Sequence, residues 1–306
     1  MNLVDLCCGA GGLSLGMMMA GHTVVAAYDH DADTIATYQR NLGNHAHIAD
    51  IRDLRGDDLP DCDGIVGGPP CQPFSDNVHN SRKGPANERN LIPDFVRLVL
   101  EKRPAFFLME NVPGLLNYKA FLAQQLARLE AIGYFPVVVT LNASYYGVPQ
   151  DRRRVFIAGR RDGRLPVFPA MTNSRRDAVT TRQAIGYLLI ESEAREIARW
   201  IRRLDGAPDK LVDTKNRATR SGSRYFRWRT IDAPAMTVTT QAGQMRVLMG
   251  GKNWILRARH YSVLQSFPTD WVWTDREETA VRLIGNAVPP LLAWRLGQAF
   301  DARLFF

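Results

Sequence analysis

The sequence predicts an α/β fold, a doubly wound and mostly parallel sheet carrying a small, irregular second domain. Through the first 160 residues short apolar runs alternate with helical patterns, and the runs lack a polar face. Strands covered by helices on both sides read that way. After about residue 165 the alternation stops and the chain turns polar and basic.

In chain order, strands are expected at 3–6 (LVDL), 23–29 (TVVAAYD), 46–50 (AHIAD), 64–68 (GIVGG), 105–111 (AFFLMEN), 136–143 (PVVVTLNA) and 154–160 (RVFIAGR). Helical patterns fall near 12–20, 31–42, 91–102 and 118–132. Beyond them, Ile190, Ala194, Ile197, Ile201 and Leu204 recur at steps of four and three, the period of an amphipathic helix. Residues 205–230 carry no such pattern, IDAPAMTVTTQ reads as a turn and strand, and helix returns from about 276.

Composition narrows the classes. The chain has 306 residues, 45% hydrophobic and 23% charged, as a globular protein does. No apolar run reaches the ~18–20 residues of a membrane span. The start, MNLVDLCCGAGG, lacks a secretory signal, so a cytoplasmic protein is expected. Cys7, Cys8, Cys62 and Cys71 have neither disulfide nor metal-ligand spacing, and no metal is expected. Charge is unevenly placed. Residues 151–230 hold 20 Lys and Arg against 9 Asp and Glu, a net of +11, whereas the remainder nets −3. An arginine-rich lobe of this kind suits a polyanion, because the planar guanidinium pairs with phosphates and base edges.

Two stretches carry chemistry. In VDLCCGAGGLSLG, Gly9, Gly11 and Gly12 sit between the first strand and the first helix, where bare backbone can meet a ligand. A dinucleotide turn would want a third glycine where Ser14 stands. Asp29 ends the second strand, where a carboxylate can bind ribose hydroxyls, and Asp50 is placed to face an adenine ring. NAD, S-adenosylmethionine (AdoMet) and a plain glycine turn all stay open on this motif. The second stretch is DGIVGGPPCQPFS, which sets Cys71 on a stiff Pro-Pro ledge after the fourth strand. ENV (110–112) ends the fifth strand and QDRRR (150–154) enters the seventh. Ligands bind beyond the carboxyl ends of parallel strands, so Cys71 and Glu110 share an edge with the glycine turn.

Together, DLCCGAGGLSLG, GGPPCQPFS, ENVPGL, YGVPQDRRRVFIAG, DAPAMTVTT and LIGNAVPP resemble the DNA cytosine carbon-5 methyltransferase family, in that order and over nearly the whole chain. The resemblance implies a Rossmann-like, class I AdoMet-methyltransferase domain over 1–170 plus 256–306 and a DNA target-recognition domain over 171–255. It implies methyl transfer from AdoMet to carbon 5 of a flipped-out cytosine in duplex DNA. Cys71 would be the nucleophile at carbon 6 and Glu110 the acid at ring nitrogen 3 and the exocyclic amine. Arg154 would meet the carbonyl at carbon 2, and Arg152 would orient that group or the cysteine. The cofactor would lie against Leu6, Cys7, Gly9, Gly11, Gly12, Leu13, Asp29, His30, Asp50, Ile51, Pro70, Leu91, Asn286, Ala287 and Val288. DNA would be met by Gln72, by Ser75 in a segment (73–90) similar to the family's mobile loop, and by Arg217, Arg220, Arg224, Arg227 and Arg229.

The family usually has an aromatic residue at Cys7 and a glutamate followed by an aromatic at Asp29–His30. Stacking on adenine is therefore expected from His30, Leu6 or Ile51. His260 stands where a glutamate is usual, which puts a local contact in doubt, and Ala287 replaces a frequent serine. Cys7, Cys8 and Cys62 are expected to pack, Asn111 to support its turn, and Arg153 to lie at the surface. The chain is expected to act as a monomer, and any restriction endonuclease paired with it to be a separate protein. A tRNA methyltransferase of the same fold is the alternative. A NAD-dependent oxidoreductase is disfavoured by Ser14, and a catalytically silent DNA-binding protein by the presence of Cys71, Glu110, Arg152 and Arg154 together.

Overall fold

The computed structural model describes residues 1–74, 84–190, 193, 195–196, 209–218, 224–241, 243–250 and 252–300. The chain divides into two compact units: 1–142 with 153–170 and 287–306, and 143–152 with 171–286.

The first unit is built on seven strands, β1 (Asn2–Leu6), β2 (Thr23–Asp29), β3 (Ala46–Ile48), β4 (Gly64–Gly67), β5 (Phe106–Asn111), β6 (Val137–Asn142) and β7 (Arg153–Arg160), ordered β3-β2-β1-β4-β5-β7-β6. All neighbours are parallel except β7, which runs antiparallel to β5 and β6. The reversal matters for the site. It brings the start of β7 to the edge where β5 ends, with Glu110 opposite Phe156 and Asn111 opposite Val155. The third strand is shorter than expected, so Asp50 lies past its end.

Helices α1 (Gly12–Met19), α2 (Ala32–Leu42), α3 (Ile92–Lys102) and α4 (Lys119–Glu130) occupy the expected stretches. Asp31 caps α2 by accepting from the amides of Asp33 and Thr34. The core is continuous through Val4, Leu6, Ile65, Phe95, Val99, Phe107, Met109, Val155 and Ile157, all buried. A last helix, here α8 (Pro290–Ala299), packs on α1. Gly16 has no room for a Cβ there, since one would lie 2.3 Å from that of Ala293. His22 Nε2 meets the Gly297 carbonyl at 2.9 Å. The C-terminal segment belongs to the first unit from residue 287. Among the described residues no helix is long and apolar enough to cross a membrane.

The second unit departs from expectation. Its elements are α5 (Thr181–Ile185), β8 (Arg195–Glu196), β9 (Lys210–Ala218), β10 (Arg224–Thr230), β11 (Met245–Met249), β12 (Lys252–Ile255), α6 (Ala258–Leu264) and α7 (Glu277–Asn286). Where irregular chain was expected, five antiparallel strands form a sheet ordered β10-β9-β11-β12-β8. Much of the helix expected over 190–204 lies outside the described residues, but Arg195 and Glu196 are strand, paired with Asn253 and Lys252. Pairing with a distant strand overrides a local period. The strand expected in 232–240 is absent too. That segment makes one bridge, Ala235 to Gln150, with a further backbone bond from the Thr181 amide to the Ala233 carbonyl and side-chain bonds from Gln150 and Arg152 at Val238. The unit boundary also differs from the expected one, because 256–286 fall in the second unit. Leu256, Tyr261, Leu264, Val281 and Ile284 are buried against Val238, Met245, Val247 and Trp254.

His260 resolves one sequence anomaly. It is buried, and its Nδ1 accepts the amide of Arg257 at 2.9 Å, closing the reciprocal cap of α6. A glutamate at this position would reach back in the same way. Burial pulls the imidazole pKa down, which keeps the neutral ring as an acceptor.

Candidate active site

The turn between β1 and α1 presents backbone rather than side chains. Gly9 has φ +55° and Gly11 φ +88°, conformations that favour glycine. A Cβ added at Gly9 would point into open space, whereas one at Gly11 would lie 2.7 Å from Leu42 Cδ1. Cys7 holds φ +57° despite its side chain. Asp29 supports the turn from the end of β2. Its Oδ2 accepts the Gly9 amide at 3.0 Å and its Oδ1 accepts that of Asp31 at 3.1 Å. Burial nonetheless raises its pKa above the ordinary carboxylate value.

Bare backbone facing open space beside a carboxylate fits the nucleoside end of AdoMet. Of the three residues expected to stack, His30 alone presents its ring to solvent, 70% exposed, while Leu6 and Ile51 are closed into the core. Asp50 is engaged by the Arg52 guanidinium, which lowers its pKa. Gly12, Leu13 and Leu91 are buried, Pro70 is half-buried, Asn286 is exposed, and Ala287 and Val288 are buried. Burial drives the Cys7 and Cys8 thiols well up, and Cys62 to about 11, so all three favour the unreactive thiol.

The Cys71 ledge is tied down residue by residue. A Cβ at Gly67 would lie 2.1 Å from the Leu6 carbonyl oxygen, so only glycine lets β4 close on β1 there. Asn111 Nδ2 donates to the Pro69 carbonyl at 3.1 Å, and its Oδ1 accepts the Val112 amide at 2.9 Å. One buried amide thus joins the end of β5 to the Pro-Pro segment, the supporting role expected of it. The Phe74 amide donates to the Cys71 carbonyl at 3.0 Å, turning residues 72–74 into a short 3₁₀ helix. Phe74 is buried against Tyr118 and Phe121. Cys71 itself is half-buried and free of any disulfide, and Gln72 is exposed. Ser75 lies outside the described residues, as do 75–83 of the segment compared with a mobile loop.

Glu110 faces the same edge. It is 7% exposed, and an added Cβ on Gly68 would lie 3.4 Å from its Oε2. Arg154 Nε pairs with Glu110 Oε1 at 2.9 Å, and Arg154 also donates to the Arg153 carbonyl at 2.8 Å. Arg153 is exposed, at the start of β7.

Arg152 belongs to the second unit and is 1% exposed. It donates to the carbonyls of Val238 at 3.1 Å and Gly285 at 2.8 Å. Gln150 and Gln265, which sequence reasoning passed over, extend the same knot. Gln150 accepts the Val238 amide at 2.8 Å and donates to Gln265, which donates to the Ile284 carbonyl at 2.9 Å. The signal was Gln150 itself, standing before the quoted arginines. Arg229 is held by Asp151 and the Pro234 carbonyl, a structural use that competes with reading a base. Arg217 lies in β9, Arg224 and Arg227 lie in β10, and Arg220 is outside the described residues.

The family model described as C-5 cytosine-specific DNA methylase matches residues 1–301. The type II methyltransferase M1.HphI of Haemophilus parahaemolyticus is 31% identical over 98% of this chain and 86% of its own length. M.MthTI of Methanothermobacter thermautotrophicus, also named a type II methyltransferase, is 33% identical over 97% of this chain and 96% of its own. The crystal structure of the S. pombe Dnmt2 methyltransferase shares the fold, with a TM-score of 0.71 over 100% of both chains at 18% identity. The chain belongs to the C-5 cytosine-specific DNA methylase family.

Proposed function

We propose that this protein is a sequence-specific modification methylase in which Cys71, Glu110 and Arg154 form the reacting centre. Its family reaction, methyl transfer from AdoMet to carbon 5 of cytosine in DNA, is not in question. The observation that supports the assignment is local to the first unit. The Cys71 ledge is tied by Asn111 to the end of β5, where Glu110 and Arg154 already pair.

AdoMet supplies an electrophilic methyl group; the residues of this chain prepare the acceptor. Carbon 5 of cytosine is a poor nucleophile until another nucleophile adds at carbon 6. Cys71 makes that addition as its thiolate, forming a sulfur–carbon bond. An unperturbed thiol, pKa about 8.5, is ionised only to a few per cent at pH 7. Glu110 donates toward ring nitrogen 3, and Arg154 stabilises charge at the carbon-2 carbonyl. After methylation, loss of the carbon-5 proton breaks the bond to Cys71. The base must leave the duplex for this, which costs a few kcal/mol. Phosphate contacts from the basic 151–230 stretch offset that cost. Arg152 acts at one remove, by holding the 238 and 285 segments.

The names of the relatives favour a modification enzyme acting on DNA over the tRNA alternative. We read the protein as a cytoplasmic monomer, with any paired endonuclease a separate chain. Labelled AdoMet offered with duplex DNA and with tRNA should label the DNA alone, and sequencing should place the methyl groups in one short motif. Labelled tRNA, or methylation scattered without a motif, would refute the reading.

Gly114 supplies a second test. A Cβ there would lie 2.0 Å from the Phe74 carbonyl oxygen, so Gly114→Ala must displace the backbone three residues from Cys71. A shift near 1 Å can cost about 10²-fold in rate, and the strain about 1–3 kcal/mol. Steady-state kinetics and denaturant melts should show both losses.

A further inference from the structure

Ser14 stands where a dinucleotide turn would carry its third glycine, the one that allows close helix–strand packing. Here the side chain is used. Ser14 is fully buried, and its Oγ donates to Asp5 Oδ2 at 2.6 Å, linking α1 to β1. Tyr38 on α2 is buried nearby, and its hydroxyl lies 3.0 Å from His45 Nε2. The buried Tyr38 ring would be 3.0 Å from a Cβ on Gly11, the residue that starts α1. The Asp5–Ser14 bond and the Tyr38 ring therefore both lie against the glycine turn.

Asp5 is enclosed on all sides, and its Oδ1 has no hydrogen-bond partner among the described residues. Burial raises its carboxyl pKa to about 7. Asp29 on β2, Cys7 and Cys8 in the turn, Ser14 on α1 and Tyr38 on α2 all face it. None of them carries positive charge, and the nearest negative group, Asp29, is the one that holds Gly9. His45, beyond Tyr38, faces His47 and stays neutral, its pKa lowered by burial.

We propose that Asp5 and Ser14 are positioning residues for AdoMet: their buried hydrogen bond holds α1 against β1 and shapes the turn between them. The inference rests on reading residues 6–13 as the cofactor turn. Ionised, Asp5 sets a second negative charge beside Asp29 and loosens the turn. The folded protein holds this proton to about pH 7, whereas the unfolded chain releases it near the ordinary carboxylate value. Between those values the folded state binds more protons, so stability falls as pH rises and levels off above 7.

The test measures AdoMet dissociation constants by calorimetry from pH 5.5 to 8.5, and denaturant midpoints without cofactor over pH 4.5–8.5, for wild type, Asp5→Asn, Ser14→Ala and Asp29→Ala. Wild type should weaken about tenfold between pH 6 and 8.5, and Asp5→Asn should hold its pH 6 affinity within threefold. The variant's midpoint should also lose the downward slope between pH 4.5 and 7. Ser14→Ala should raise the dissociation constant at least tenfold at pH 6 while kcat at saturating AdoMet stays within twofold. Ser14→Ala at wild-type affinity, or a wild-type pH profile in Asp5→Asn, overturns the proposal while Asp29→Ala remains impaired. Wild-type affinity in Asp29→Ala would instead overturn the assignment of the turn, and the proposal with it.

Discussion

Cys71→Ser will lose methyl transfer by more than about 10³-fold and keep duplex binding within a few-fold. A serine hydroxyl is not ionised near neutral pH, so the group that must add at carbon 6 is gone. The binding energy comes from elsewhere, chiefly the basic stretch. The sharper readout is covalent. Fluorine at carbon 5 cannot leave as a proton, so a duplex with 5-fluorocytosine at the target should stay bonded to wild-type Cys71 after methylation. A denaturing gel should show that adduct in wild type and none in Cys71→Ser. An adduct that survives the substitution would move the nucleophile to another residue. Cys62, Cys7 and Cys8 are poor substitutes, since burial favours the thiol in each.

The Glu110–Arg154 pair should separate chemistry from stability. Both side chains are nearly enclosed, 9% and 13% exposed, and joined at 2.9 Å. Glu110→Gln keeps the shape and an oxygen to accept from Arg154 but removes the counter-charge, so unfolding free energy should fall by about 1–3 kcal/mol. The proton that the acid supplies is lost, so the methylation rate should fall about 10²–10⁴-fold. Arg154→Ala takes the guanidinium from an enclosed carboxylate and should cost about 3 kcal/mol, in the range for broken buried pairs. Denaturant titration and single-turnover methylation on both variants check this. Equal stability losses with little change in rate would reduce the pair to a structural bridge.

The turns, the ledge and the acid were legible because each is local. A glycine needed for φ +55° at residue 9, a Pro-Pro before Cys71 and an acid at the end of a buried strand all leave their mark within a few residues. The second unit was less legible. In the sequence its strands β9 and β10 mix charged residues with Leu211, Val212, Tyr225, Phe226 and Trp228, so no strict apolar–polar alternation announces them. Their pairing partners lie as far away as residue 245, a distance that no local window spans. The same holds for 232–240, an extended segment secured by Gln150 and Arg152 rather than by a ladder.

By itself the sequence determined the α/β class and the family, and it singled out the side chains proposed to react, since those depend on residue type and chain order. Only the tertiary structure decided what each polar group is used for. It put Arg152 and Arg229 on carbonyls and a carboxylate within the second unit, gave His260 the work of a helix cap, and buried Ser14 against Asp5. The physical reason is that an enclosed polar group must find its partner in space, and the partners here stand from 3 to 133 residues away along the chain.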